Sequence, residues 1–364
     1  MSKKKILIYG AGAIGRGYVP WLFDLEKTEL SYVETDKVLR RLLIERGGFT
    51  SYLTKDKKYK ELYCPVKNCF DLGEEDPASF DGIITAVGPR QVFSLKDTLK
   101  EADCPILLFE NDSTLPEKLA TLTNKKNFFF GIPDVITSSS APEELKAIDP
   151  LSIVTEDGIC FVDKRAKEIS GDISYVNNQE LMKQWTAKLY LHNTPHCIAA
   201  YLGAIKQNIY LHEGMKEKNI YSIVKGAMEE MGETIKVLFN IDEEFIDWYS
   251  QKELQRFSNE LLFDPISRVA REPFRKLGLS DRLIGAAQLS LSTGKVPKYI
   301  MLGIMAAFLY DQENDDDFHI KILMRSLEPK DFLKLIINLN PHEALYKLII
   351  DSWDELKNTL ENLK

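Results

Sequence analysis

The chain has 364 residues, 44% of them hydrophobic and 28% charged, with a formal net charge of −8. That balance is the balance of a soluble globular protein, and the length exceeds one average domain, so two domains with a core each are expected. No basic stripe exists beyond Lys3–Lys5, and only a short apolar run follows it, so a nucleic-acid surface, a secretory signal and a membrane span are excluded and a cytoplasmic protein is expected.

The first element is Ile6-Leu7-Ile8-Tyr9, which reads as a buried strand running straight into Gly10-Ala11-Gly12-Ala13-Ile14-Gly15. Helical apolar spacing from Tyr18 to Leu25 places these glycines at a strand-to-helix turn. Gly10 would allow the tight turn, Gly12 a close approach to a pyrophosphate and Gly15 close helix packing, with Ala13 and Ile14 lining the same turn. The second apolar run, Leu30–Val33, ends at Glu34. A carboxylate there would accept the ribose hydroxyls of an adenosine and repel a 2′-phosphate, which favours NAD. Arg40 and Arg41 keep NADP open, and an ordinary βα turn is the plain alternative.

Further buried strands are expected at Ile83–Val87, Ile106–Phe109 and Asn127–Phe130. Repeated βα units predict a doubly wound parallel sheet whose ligands sit at the carboxyl ends of the strands, where Val87-Gly88-Pro89 and Glu110-Asn111 lie. Ile153–Val154 and Ile159–Val162 read as an antiparallel extension closing this domain. The Ser138-Ser139-Ser140 cluster reads as a loop. Five scattered cysteines, Cys64, Cys69, Cys104, Cys160 and Cys197, fit reduced thiols.

After about residue 180 apolar residues recur three and four apart, over Leu181–Gln207, Ile220–Phe239, Phe245–Leu262, Tyr299–Tyr310, Ile320–Leu327 and Pro329–Leu339. Pro265, Pro273 and Pro297 mark joints, and the acidic run Glu313–Asp317 reads as a solvated loop. The expected fold is therefore α/β: an N-terminal Rossmann-type doubly wound domain, residues 1–180, followed by a mainly α-helical domain, residues 181–364.

The densest polar cluster spans Lys188 to Gly203. On a regular helix Asn193 lies about 140° from Lys188 and His196 about 80°, so a base, an amide and an imidazole can face one small substrate. The alternative is a solvated lysine, an Asn193-Thr194 helix cap and an ordinary helix histidine. Downstream, Arg271, Arg275 and Lys276 form a basic cluster suited to a phosphate dianion, or else a set of surface charges paired with Glu272 and Asp281.

The frame K-L-x-x-x-N-x-x-H-x-x-x-A-Y-L-G from Lys188 to Gly203 resembles the signature of the polyol-specific long-chain dehydrogenases. Thr85–Pro89, Glu110-Asn111, Val224–Glu230 and Arg268–Leu277 match that family in the same order. The resemblance implies an NAD-dependent, metal-independent oxidoreductase in which Lys188 is the acid/base, Asn193 and Asn111 polarise the reacting oxygen and His196 orients the substrate. It also implies a small sugar or polyol phosphate as substrate, with mannitol 1-phosphate and fructose 6-phosphate the leading pair and an unphosphorylated polyol or a hexuronate the alternative. A monomer or small homo-oligomer is expected. Pro195 departs from the family's glycine just before His196, and Val135 from its arginine in Asp134-Val135-Ile136.

Overall fold

A computed structural model of the chain describes residues 2–138, 141–310, 322 and 326–363. Two compact units divide it: Met1–Trp185 with Leu261–Phe263, and Thr186–Glu260 with Asp264–Lys364.

The strands of the first unit are β1 (Lys4–Tyr9), β2 (Thr28–Val33), β3 (Gly48–Lys55), β4 (Lys58–Pro65), β5 (Cys69–Phe70), β6 (Gly82–Thr85), β7 (Ile106–Leu108), β8 (Phe128–Asp134), β9 (Thr137–Ser138), β10 (Ile153–Glu156), β11 (Ile159–Asp163) and β12 (Ser174–Val176). The larger sheet has the order β12-β11-β8-β7-β6-β1-β2-β5. From β5 to β8 every pairing is parallel, and the order reverses at β1, the topology of a doubly wound nucleotide-binding sheet. Alternate residues serve its two faces. Ile6, Ile8, Ile84 and Leu107 enter one apolar layer, while Leu7, Tyr9, Ile83, Ile106 and Leu108 enter the other. A strand covered on both sides needs such an unbroken apolar run. Helices α1 (Lys37–Arg46), α2 (Lys96–Leu99), α3 (Leu115–Thr123) and α4 (Glu143–Ile148) connect the strands.

Three expectations are corrected in this unit. The helix expected over Tyr18–Leu25 is instead a π turn, Ala13–Tyr18, followed by a 3₁₀ turn, Val19–Leu22. Pro20 lies in that 3₁₀ turn, where it has no N–H to carry an α-helical ladder. Only part of the expected antiparallel extension forms: β11 lies antiparallel to β8, but β10 joins a second sheet, β4-β3-β10-β9, parallel to β3. Ser138 belongs to β9 of that sheet and is buried, while Ser139 and Ser140 lie outside the described residues. The second sheet also contains a hairpin of β3 and β4, which matches no expected element. Its two-residue turn, Asp56-Lys57, has φ of 50° and 58°, the left-handed pair that matches strand twist.

The second unit is helical. It follows α5 (Asn178–Ala187) with a π turn, Lys188–Asn193, and then α6 (Thr194–Ile205), α7 (Leu211–Lys216), α8 (Lys218–Phe239), α9 (Glu243–Phe257), α10 (Ile266–Ala270), α11 (Pro273–Lys276), α12 (Ile284–Ser292) and α13 (Lys298–Leu309). Every residue of α6 from Thr194 to Gly203 is buried, the condition of a helix at the centre of its unit. Pro265, Pro273 and Pro297 stand at the starts of α10, α11 and α13. The helical spacing over Leu181–Gln207 is thus carried by α5, a π turn and α6 in succession, not by one regular α-helix. Most of Ile320–Leu327 and all of Glu313–Asp317 lie outside the described residues. Among the described residues no helix is long and apolar enough to cross a membrane.

Candidate active site

Two groups of functional residues form, one in each unit. In the first, the loops after β1 and β6 meet. Gly10 has φ +94°, and a Cβ there would lie 2.6 Å from the Ala86 carbonyl oxygen. A Cβ at Gly15 would overlap the Gly10 carbonyl oxygen. Gly12, by contrast, is exposed and a Cβ would meet nothing within 4 Å, so open space lies at the position assigned to a pyrophosphate. Ala13 and Ile14, both half-buried, begin the π turn.

Glu34 stands at the end of β2, beside this loop. Its carboxylate accepts the N–H of Ala11 at 2.9 Å on one oxygen and the N–H of Asp36 at 2.9 Å on the other. Each oxygen keeps a second lone pair for a hydroxyl. Arg40 is committed elsewhere: it donates to the Glu34 carbonyl at 2.5 Å and to Asp71 at 2.8 Å. Arg41 is largely exposed and pairs loosely with Glu45 at 3.5 Å. The N–H groups of Val87 and Gly88 turn back onto the buried Glu110, at 2.9 and 2.7 Å. Those two residues therefore present surface, not donors, and burial raises the Glu110 carboxyl despite the two bonds. Asn111 follows on the same unit, exposed.

In the second unit Lys188 and Asn193 occupy the two ends of the π turn, and both are buried. The N–H of Thr194 reaches the Leu189 carbonyl, a span of five residues where an α-helix uses four. The helical angles expected for Lys188, Asn193 and His196 do not apply across this wider turn. Pro195 lies in the first turn of α6, where its missing N–H costs nothing. Asn193 makes no side-chain cap, and its Nδ2 is buried without a partner. An orphaned buried amide donor costs about 1–3 kcal/mol.

His196 is also buried, and its Nε2 lies 3.0 Å from Asp264 Oδ2. Arg268 brings Nε and Nη2 to the other oxygen of Asp264, at 2.9 and 2.5 Å. One turn earlier His192 Nδ1 lies 2.5 Å from Glu253 Oε2, and Arg256 donates to Glu253 Oε1 at 2.5 Å. The two imidazoles face each other with centroids 4.9 Å apart, and Phe257 stacks on His196 at 5.0 Å. Burial pushes His192 down to about 4 and holds His196 below its ordinary value, outweighing the adjacent carboxylates. Asp264 stays low because Arg268 and His196 outweigh its own burial.

Asp264, Arg268, Glu253 and Arg256 were not singled out as site residues in the sequence. Glu253 could have been found: it stands in line with Ile246, Tyr249 and Phe257 on the buried face of α9, and a carboxylate in an apolar stripe needs a partner.

The basic cluster behaves differently from a free phosphate cradle. Lys276 is buried, and its ammonium donates to the carbonyls of Val269 and Arg271; burial pushes it down to about 7. Arg275 bridges Glu272 and Asp281 at 3.0 Å each. Arg271 is exposed between α10 and α11. Glu272 beside it has φ +56°, a left-handed conformation uncommon for a residue with a side chain.

Residues 180–324 match the family model described as the mannitol dehydrogenase C-terminal domain. This segment is similar to mannitol dehydrogenase C-terminal domains. It contains the whole Lys188–His196 constellation and its carboxylate partners. The chain is 27% identical to a mannitol-1-phosphate 5-dehydrogenase of Caldanaerobacter subterraneus subsp. tengcongensis, over 98% of this chain and 99% of the relative. It is 29% identical to one of Thermoanaerobacter pseudethanolicus, over 98% of each. In fold it resembles the Pseudomonas fluorescens mannitol 2-dehydrogenase, solved as a ternary complex with NAD and D-mannitol. That likeness has a TM-score of 0.77 at 14% identity and covers 100% of this chain and 94% of that one. The two chains share a two-part plan, a Rossmann-type sheet followed by helices.

Proposed function

We propose that the chain is an NAD-dependent dehydrogenase of a polyol phosphate, interconverting mannitol 1-phosphate and fructose 6-phosphate with Lys188 as the acid/base. One observation carries the reading. Asn193 Nδ2 is a buried donor without a partner, on the same π turn as the buried Lys188. A donor held in this state stabilises negative charge that develops on a substrate oxygen, because no reorganisation is needed when the charge appears.

The residues of the first unit fit the cofactor. The open space at Gly12 suits a pyrophosphate, and the braced Glu34 carboxylate suits a ribose diol. With Arg40 committed to Asp71, NAD is favoured over NADP. When bound, NAD supplies the acceptor for the hydride of a secondary alcohol. In that direction Lys188 takes the hydroxyl proton, Asn193 donates to the oxygen as its charge grows, and His196 orients a neighbouring hydroxyl. In the reverse direction Lys188 returns the proton to the carbonyl oxygen. The lysine supplies the acid/base function, so no metal is assigned.

The phosphate is read from the full-length likeness to the two mannitol-1-phosphate 5-dehydrogenases and from the exposed Arg271. A second reading, an unphosphorylated polyol, is favoured by the engagement of Arg275 and Lys276 within the protein. Oxidation of NADH by the purified protein in the presence of fructose 6-phosphate, fructose, fructuronate or tagaturonate separates the readings. Fructose 6-phosphate is expected to be the best substrate, and fastest turnover of fructose or a hexuronate would overturn the phosphate reading.

A further inference from the structure

The buried acid beside His196 has no role in the mechanism so far. His196 Nε2 meets Asp264 Oδ2, while both contacting nitrogens of Arg268 sit on Oδ1. Asp264 is ionised, so it only accepts, and the hydrogen of the neutral His196 ring must therefore be on Nε2. Nδ1 then carries a lone pair and can only accept. The groups facing this ring from its own and neighbouring elements are His192 on the preceding π turn, Glu253 and Phe257 on α9, Asp264 just before α10 and Arg268 on α10.

We propose that Asp264, fixed by Arg268, is a positioning residue that holds His196 as an acceptor at Nδ1 for a hydroxyl of the substrate. The assignment rests on the reading of Lys188, Asn193 and His196 as the polyol site. It adds a specificity rule: the position next to the reacting carbon must bear a hydroxyl donor, and an analogue with hydrogen or a keto oxygen there is discriminated against, because the ring nitrogen is left without a donor.

Asp264→Asn tests this without changing shape. Arg268 can face only the amide oxygen, so the amide Nδ2 is turned toward His196 and donates to Nε2. The ring hydrogen then moves to Nδ1 and the acceptor becomes a donor. Partners that orient metal-bound histidines are worth about 10–100-fold in activity, and by that analogy a fall of about that size in kcat/KM for the polyol substrate is expected, with NADH affinity unchanged. The deciding readout is a double-mutant cycle with His196→Ala. If Asp264 acts through the ring, Asp264→Asn has no further effect in the His196→Ala background. If the two losses multiply, Asp264 is structural and the proposal is overturned while the site reading stands. Wild-type activity of His196→Ala alone would instead overturn the site reading. Should Asp264→Asn fail to fold, selective ¹⁵N-histidine NMR of the unaltered protein decides: a ring hydrogen on Nε2 of His196 supports the proposal, and one on Nδ1 refutes it.

Discussion

Replacing Asn193 by a side chain of similar size without polar atoms should move activity and stability in opposite directions. The Nδ2 of Asn193 is buried and has no partner, so in the resting protein it is a desolvated donor that nothing offsets. Asn193→Leu removes a cost of about 1–3 kcal/mol and adds apolar burial, while fitting a longer branched side chain takes some of this back. A net gain of about 1 kcal/mol corresponds to a rise in Tm of roughly 2–4 °C for a unit of this size. Catalysis loses the donor when charge develops on the substrate oxygen. Loss of one such donor lowers kcat by about 10²–10³, equivalent to about 2.7–4 kcal/mol of transition-state stabilisation. The assay is NADH oxidation at saturating fructose 6-phosphate, beside a thermal melt of the same preparations. A fall in Tm of several degrees together with lost activity would mean that Asn193 is a packing residue. Activity within threefold of the unaltered protein would remove it from the reaction altogether.

Lys188→Ala should lower turnover by roughly 10²–10⁴-fold, the usual worth of a placed acid/base, while NADH binding followed by fluorescence stays nearly constant; unaltered turnover would sink the assignment. Glu34→Ser should weaken NADH more than NADPH, and equal effects on both would show that the carboxylate does not meet the ribose. Arg271→Ala should raise the KM for fructose 6-phosphate about tenfold, the value of one charge-assisted hydrogen bond, and leave the weaker reaction with fructose unchanged. Arg271 is the better probe of the phosphate because Arg275→Ala would also leave Glu272 and Asp281 without their shared partner.

The parts of the molecule that were legible in the sequence are those encoded locally. Ile6–Tyr9 with its three glycines, and the strand ending at Glu34, carry their geometry in residues that are adjacent in the chain. The β3–β4 hairpin was not legible because its turn uses Asp56 and Lys57 in left-handed conformations, with none of the glycine or asparagine signals that announce such turns. Helical spacing located the segment around Lys188 but assumed 3.6 residues per turn, so it missed the π turn that sets where Asn193 sits relative to the lysine. Which acids meet the histidines was hidden for another reason. Glu253 and Asp264 lie 61 and 68 residues beyond the histidines they touch, and no periodicity spans that separation. The basic residues from Arg271 to Lys276 were legible as a cluster, and so was the pairing with Glu272 and Asp281 that Arg275 makes, but not the backbone carbonyls that engage Lys276.

Among the described residues the π turns are Ala13–Tyr18 and Lys188–Asn193, one in the glycine loop and one in the lysine segment. The first precedes a 3₁₀ turn and the second interrupts the regular ladder between α5 and α6, and turns of this kind concentrate at functional sites. The amides of such a turn are expected to exchange faster than those of the long, regular α8. A dinucleotide that orders the first turn and a polyol that orders the second would each slow amide exchange in its own segment. The chain thereby contains two separate reporters, one for each half of its reaction, readable by hydrogen exchange without any label.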